Sequence, residues 1–192
     1  MSIADEKAAL RAEIRAARRE LAPEVRRASA LAVAQKLASM PELASGTVLA
    51  YMPMKYELDI LPAVDMLRAK GARVAFPLCI ENGGLRLFVP AEHNGFVTGA
   101  YGIMEPDIDT AEEVYPDELS AVLLPAVGFD IAFNRLGQGG GYYDRLLAGL
   151  NCFTLAVGFD CQLMGRVPTE PTDRQVEAIV TPSWFGARRA LR

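Results

Sequence analysis

The chain has 192 residues, 51% of them hydrophobic and 23% charged, which suits one globular domain with a sizeable core. Its net charge of -4 argues against nucleic acid or an anionic membrane as the main partner, and no apolar run reaches the roughly 18 residues a membrane span needs. With one histidine, His93, the chain has no histidine-rich zinc site and no triad that is not built on His93.

The opening segment, Met1 to Lys7, carries acids and lacks the apolar centre of a signal peptide. Cys79, Cys152 and Cys161 form no Cys-x-x-Cys pair and read as reduced, buried small hydrophobes, so the expected compartment is the cytoplasm. Residues 4–21 are rich in Ala, Arg and Glu without Gly or Pro, and predict a helix. Ile3, Leu10, Ile14, Ala17 and Leu21 make its apolar stripe. Lys7, Arg11, Arg15 and Arg18 fall within about 80° of one another on a neighbouring face. Such a face either points into a cleft or is solvated and paired with Glu6, Glu13 and Glu20.

Pro23 suits the first turn of a second helix, which runs to about Ser39 with Leu31, Val33, Ala34, Leu37 and Ala38 facing inward. Gly46 opens a buried strand, Thr47 to Tyr51, followed by the loop Met52 to Glu57. A loop at the C-terminal end of such a strand is where open α/β sheets bind ligands. Glu57 therefore belongs either to a site or to the cap of the next helix, Asp59 to Lys70, which Gly71 ends. Arg73 to Leu78 and Leu85 to Val89 read as a hairpin around the turn Glu81-Asn82-Gly83-Gly84. Residues 90–120 read as irregular, with a structured turn at Gly102 to Pro106. Buried strands return at Leu119 to Val127 and Phe153 to Gly158, and a last short one at Val176 to Thr181 follows a loop containing Pro168, Pro171 and Asp173. Alternating helices and buried strands predict an α/β sandwich with a mainly parallel sheet.

Between the strand at Leu119 and a helix predicted over Tyr142 to Leu150 lies the most informative stretch. Phe129-Asp130 leads into Asn134-Arg135-Leu136-Gly137-Gln138-Gly139-Gly140-Gly141-Tyr142-Tyr143-Asp144-Arg145. Glycines let a backbone approach a ligand, and successive amide N–H groups ahead of a helix start form an anion cradle. Arg135 and Arg145 add full positive charge, and Asp144 is a hard oxygen ligand suited to Mg²⁺. The pattern is neither a P-loop nor a dinucleotide fingerprint. A plain strand-to-helix turn is the bland alternative. The flanking Arg135, Tyr142, Tyr143, Asp144 and Arg145 favour a nucleotide-phosphate site.

This motif resembles, nearly letter for letter, the signature of the 5-formyltetrahydrofolate cyclo-ligases (methenyltetrahydrofolate synthetases). The likeness extends to Lys7-x-x-x-Arg11, Tyr51 through Glu57 and Asp59, Gly102-Ile103-x-Glu105-Pro106, Gln162, Val167-Pro168 and Ile179-Val180-Thr181. It implies one domain over residues 1–192, a three-layer sandwich whose mainly parallel mixed sheet is flanked by helices, similar to sugar-phosphate isomerase and CoA-transferase-like folds. The implied reaction is ATP- and Mg²⁺-dependent closure of 5-formyltetrahydrofolate to 5,10-methenyltetrahydrofolate by a cytoplasmic monomer without nucleic-acid or membrane partners.

Carried over by position, Lys7 and Arg11 would bind ATP phosphates, together with Arg135, Leu136, Gly137, Gln138, Gly139, Gly140, Gly141, Tyr142 and Tyr143. Met52, Glu57 and the run Gln138 to Tyr142 would face the folate. Arg135 would neutralise the phosphoryl group in flight, Tyr142 would stack on the pterin or position the formyl group, and Asp144 and Asp173 would hold Mg²⁺. Two positions depart from the family pattern. Gln138 stands where relatives often have an aromatic or basic residue, and Thr172 where a histidine often precedes the aspartate. Three rival readings stand beside this one. A sugar-phosphate isomerase would use Glu57 or Asp130 as its acid or base. A non-catalytic binding module would have lost motif residues that are present here. An enzyme acting on another folate or N-formyl compound would keep the same motifs. Asp130 and Glu105 are either catalytic or structural.

Overall fold

The computed structural model describes residues 2–80, 83–91, 95–99 and 102–188. Glu81, Asn82 and His93 lie outside the described residues. Among the described residues four α-helices form: α1 (Ile3–Glu20), α2 (Pro23–Ala38), α3 (Leu61–Ala69) and α4 (Tyr142–Leu147). The first half of the chain carries β1 (Thr47–Leu49), β2 (Arg73–Cys79), β3 (Leu85–Val89), β4 (Phe96–Thr98), β5 (Met104–Pro106) and β6 (Glu112–Val114). The second half carries β7 (Leu119–Pro125), β8 (Gly128–Asp130), β9 (Arg135–Leu136), β10 (Phe153–Val157), β11 (Leu163–Met164), β12 (Ala178–Val180) and β13 (Phe185–Ala187).

An eight-stranded sheet in the order β13-β12-β10-β7-β1-β2-β3-β6 is the frame. Its five inner strands, β12 to β2, run parallel, and β13, β3 and β6 pair antiparallel at the two sides. The inner strands are unbroken apolar runs because both faces of a parallel sheet are covered. Successive side chains alternate between the two faces. Val48, Val74, Leu123 and Val157 meet Val33, Ala34 and Leu37 of α2 and Ala63, Val64 and Leu67 of α3. Their neighbours Leu49, Ala75, Val122, Leu124 and Ala156 meet Phe129, Leu147 of α4 and Val176 on the other side.

α1 starts on a capping box, in which Ser2 Oγ accepts from the Asp5 N–H and Asp5 Oδ2 accepts from the Ser2 N–H. Its Ile14 and Leu10 pack on Val127, Leu136, Val167 and Met164 beside the small sheet β11-β8-β9. This seats the helix across the glycine-rich stretch rather than flat on the main sheet. Among the described residues no helix is long and apolar enough to cross a membrane.

Several sequence expectations need correction. Residues 90–120 contain three short strands: β4 and β5 form a ribbon, and β6 extends the main sheet beside β3. Their three-residue lengths and acidic, Pro- and Gly-containing surroundings give no periodic signal. The strand at Val176 to Thr181 shrinks to β12 and is not the last, since β13 returns antiparallel after a turn in which the Thr181 N–H donates to Trp184 O. α4 stops at Leu147, short of Leu150, and Leu31 of α2 is 48% exposed rather than inward. The N-cap of α3 is Ile60, without a side-chain cap; Asp59 accepts from the Leu61 N–H at 2.9 Å, and Glu57 bonds Met54 and Gln138 instead of that helix. The cysteines are unpaired but not fully buried: Cys152 and Cys161 are half-buried, and Cys79 is exposed at the end of β2.

Candidate functional site

A cavity of about 660 Å³ opens where β1 and β7 end; the ATP, folate and Mg²⁺ residues expected from the sequence line it, whereas Asp130, Arg15 and Arg18 do not. Lys7 and Arg11 of α1, Met52 and Glu57 after β1, the run Arg135 to Asp144, and Asp173 all share this one space. Sequence reasoning also missed part of the wall: Glu170, Arg174, Cys79 and Met104.

The glycine-rich loop is anchored at its base by Asp130, which is 2% exposed. Its Oδ1 accepts from the N–H groups of Ala132 and Asn134, both at 3.0 Å. Its Oδ2 accepts from the Val167 N–H at 2.8 Å and from Asn134 Nδ2 at 3.1 Å. With four donors on one carboxylate, Asp130 is a loop anchor, the local side-chain-to-backbone role common for Asp. β8 and β9 then pair across the turn, Phe129 opposite Arg135. Gly141 sits at φ 67°, a left-handed position that lets the loop swing into α4. A Cβ on Gly137 would lie 2.9 Å from an Arg135 nitrogen, so a larger residue there would have to displace that guanidinium. Arg145 ties the far side of the loop down, donating to Gly140 O and Gly83 O, each at 2.8 Å.

Charge converges on the loop from three directions. Arg135, with a side chain 2% exposed, donates to Asp144 Oδ1 at 3.0 Å, while its buried Nε has no partner among the described residues. Tyr143 lies beneath this guanidinium, its ring centroid 5.9 Å away, and burial pushes its phenol well above the usual range. Lys7 Nζ lies 2.6 Å from both Glu170 Oε2 and Asp173 Oδ2. Burial alone would lower the Lys7 pKa, but the hydrogen bonds to Asp173 and Glu170 outweigh it and raise it. Arg11 Nε donates to Gly137 O at 2.8 Å, Arg15 to Gln138 Oε1, and Arg18 to Ala126 O at 3.4 Å.

The cationic face of α1 thus points into the fold. Among the described residues, none of Glu6, Glu13 and Glu20 forms an ion pair with it. On the opposite wall Glu57, 9% exposed, accepts from the Met54 N–H and from Gln138 Nε2, both at 3.0 Å.

Asp144 and Asp173 both reach the cavity, although no group of three or more metal-ligating residues occurs among the described residues. Asp144 uses Oδ1 for Arg135, and Asp173 uses Oδ2 for Lys7 and the Glu170 N–H; no described residue donates to the second oxygen of either. That donor set fits Mg²⁺, which takes one or two carboxylates and completes its shell with water and substrate phosphates. Glu170 was hidden because its partner Lys7 is 163 positions away; its spacing from Asp173 around Pro171 shows only a turn.

Fold and site together define an α/β protein with a pocket built on a glycine-rich loop. The model of the 5-formyltetrahydrofolate cyclo-ligase family matches residues 3–182, and the chain belongs to that family. The 5-formyltetrahydrofolate cyclo-ligase of Escherichia coli (strain K12) is 32% identical over 176 residues, spanning 88% of this chain and 97% of the relative. That of Mycolicibacterium smegmatis is 30% identical over 183 residues, spanning 92% and 93%. The solution structure of Aquifex aeolicus 5,10-methenyltetrahydrofolate synthetase superposes with a TM-score of 0.84 at 31% identity, over 97% of this chain and 94% of that one.

Proposed function

We propose that the protein, acting as a single-domain cytoplasmic monomer over residues 1–192, closes 5-formyltetrahydrofolate to 5,10-methenyltetrahydrofolate at the expense of ATP. The observation that carries this reading is the shared cavity: the glycine-rich loop with Arg135 and the α1 cations forms one wall, and the buried carboxylate of Glu57 faces it. The first suits a triphosphate. The second suits the amino and N–H donors of a pterin, with Met52 giving apolar contact beside it.

The formyl carbon on N5 is unreactive because amide resonance spreads into it. Its oxygen attacks the γ-phosphorus of ATP, the bond to the bridging oxygen breaks, and ADP departs. N10 then attacks the activated carbon and loses its proton. The carbon–oxygen bond breaks, and phosphate leaves carrying the former formyl oxygen. Such transfer needs positioning and charge neutralisation more than acid–base groups. Arg135 neutralises the phosphoryl group with the positive charge of its guanidinium, and loop amides from Gly137 to Gly141 hold the phosphates. Lys7 and Arg11 fix the nucleotide from α1. Tyr142 packs on the pterin or holds the formyl group. Asp144 and Asp173 would hold Mg²⁺, which neutralises phosphate charge when bound.

Full occupation of Asp130 by four donors disfavours an isomerase that would use it as acid or base. Retention of Lys7, Arg11, Arg135 and Asp144 disfavours a binding module that has lost catalysis. The test follows the methenyl-folate absorbance with purified protein, 5-formyltetrahydrofolate and Mg²⁺, with and without ATP. Growth only with ATP, abolished in Arg135→Ala, is expected. No growth from folded wild-type protein with ATP rejects the reading.

A further inference from the structure

α1 directs one more cation at the site, and the reaction described above gives it no task. Arg15 is not among the residues that line the cavity, yet it donates to Gln138 Oε1. Gln138 Nε2 in turn donates to Glu57 Oε1 at 3.0 Å, and Glu57 Oε2 accepts from the Met54 N–H at 3.0 Å. Three segments far apart in sequence, α1, the glycine-rich loop and the loop after β1, are joined by this chain of donors and acceptors.

Its polarity is fixed at both ends. A guanidinium offers donors only, and an ionised carboxylate offers acceptors only. A glutamine between them has one satisfactory orientation, oxygen toward Arg15 and nitrogen toward Glu57. The terminal torsion of glutamine is broad and roughly two-fold, so the amide by itself has little preference for either face. Without Arg15 the Gln138 oxygen loses its fixed donor, and the amide is held at the Glu57 end alone. Glu57 is 9% exposed, and a carboxylate so placed depends on each donor it keeps.

We propose that Arg15 is a positioning residue for the folate: by locking the Gln138 amide, it holds the Glu57 carboxylate at the angle that receives the pterin donors. Arg15 touches no substrate itself, and its effect passes through Gln138. The inference rests on the proposed folate reaction and adds to it a remote determinant of substrate affinity on α1.

The test uses Arg15→Met, which keeps the aliphatic stem and removes every donor, and Arg15→Lys, which restores a donor-only head. Arg15→Met is expected to raise KM for 5-formyltetrahydrofolate about five- to tenfold, less than the full worth of a charge-assisted hydrogen bond because the effect passes through Gln138, with kcat and KM for ATP within about twofold. Arg15→Lys recovers most of the loss. In a Gln138→Leu background, Arg15→Met has no further effect on KM, because the link is already broken. Multiplicative losses in the double variant, or an equal rise in KM for ATP, overturn the proposal. If Arg15→Met does not fold, Arg15→Ala takes its place in the same cycle with Gln138→Leu. Calorimetric titration of 5-formyltetrahydrofolate onto wild type and Arg15→Met runs in parallel. An inactive wild type that binds the folate rejects the proposed reaction, while equal affinity of the two proteins rejects the role of Arg15.

Discussion

Asp130 provides the sharpest mutational test, because an isomerase reading and a loop-anchor reading predict opposite outcomes for it. Asp130→Asn keeps the shape and one carbonyl oxygen. That oxygen can retain the N–H groups of Ala132 and Asn134, both now 3.0 Å from Oδ1. The new NH2 group then faces the Val167 N–H, which lies 2.8 Å from Oδ2, and donor meets donor at a site 2% exposed. One buried amide loses a charge-assisted bond, at a cost of about 2 kcal/mol. Asp130→Ala orphans three backbone N–H groups, and the loss rises to about 4 kcal/mol, less than the sum because the bonds share one carboxylate. In a protein of this size, about 2 kcal/mol corresponds to a fall in Tm of roughly 4–8 °C. Urea unfolding of wild type and both variants reads these values, and ATP titration reads the loop. The expected result is graded destabilisation with a raised KM for ATP and measurable residual kcat in Asp130→Asn. An Asp130→Asn protein of wild-type stability that is catalytically dead refutes the reasoning and returns Asp130 to the acid–base role.

Lys7→Met leaves Glu170 and Asp173 without their shared cation and should destabilise the fold by about 1–2 kcal/mol, moderated because Glu170 is half-exposed. The folded-state pKa of Lys7 is raised, so its contribution is complete below the ordinary lysine range near 10.5 and disappears as pH rises through the folded value. The stability gap between wild type and Lys7→Met should therefore stay constant from pH 7 to about 10 and close above it in alkaline melts; a gap that closes near neutrality contradicts this. Gly137→Ala puts a methyl group 2.9 Å from an Arg135 nitrogen and should raise KM for ATP or lower kcat by about ten- to a hundredfold, with little change in Tm. Wild-type kinetics in that variant would remove Arg135 from the account. Cys79 is exposed and lines the cavity, so its alkylation by iodoacetamide should slow when 5-formyltetrahydrofolate and ATP are both bound. Equal rates with and without ligands would separate the folate from this pocket.

The main sheet was legible because its inner strands are continuous apolar runs, a pattern that parallel sheets covered on both faces impose. The helices were legible from Pro23, Gly71 and the spacing of Ile14 with Leu10. The glycine-rich loop carried its own signal in Arg135, Tyr142 and Asp144. What stayed hidden depends on tertiary placement. Nothing local distinguishes a solvated cationic stripe from one aimed into a cleft, and only the seating of Ile14 on Val127 and Leu136 turns Lys7, Arg11 and Arg15 toward the loop. Glu170 and Arg174 lie in a proline-containing segment with no periodicity, and β4, β5 and β6 are three residues each. Cys79 read as a core residue from its apolar type, whereas β2 carries it past the core to the cavity mouth.

The central claim is that the γ-phosphoryl group travels to the formyl oxygen, and an isotope reads that oxygen directly. 5-Formyltetrahydrofolate labelled with ¹⁸O in the formyl group is turned over with unlabelled ATP in unlabelled water, and the released phosphate is analysed by mass spectrometry. One ¹⁸O atom per phosphate, formed in step with the methenyl absorbance, is the predicted result. Unlabelled phosphate accompanying methenyl formation would mean that ATP is hydrolysed without touching the formyl oxygen, and would contradict the assignment of Arg135 and its loop to phosphoryl transfer.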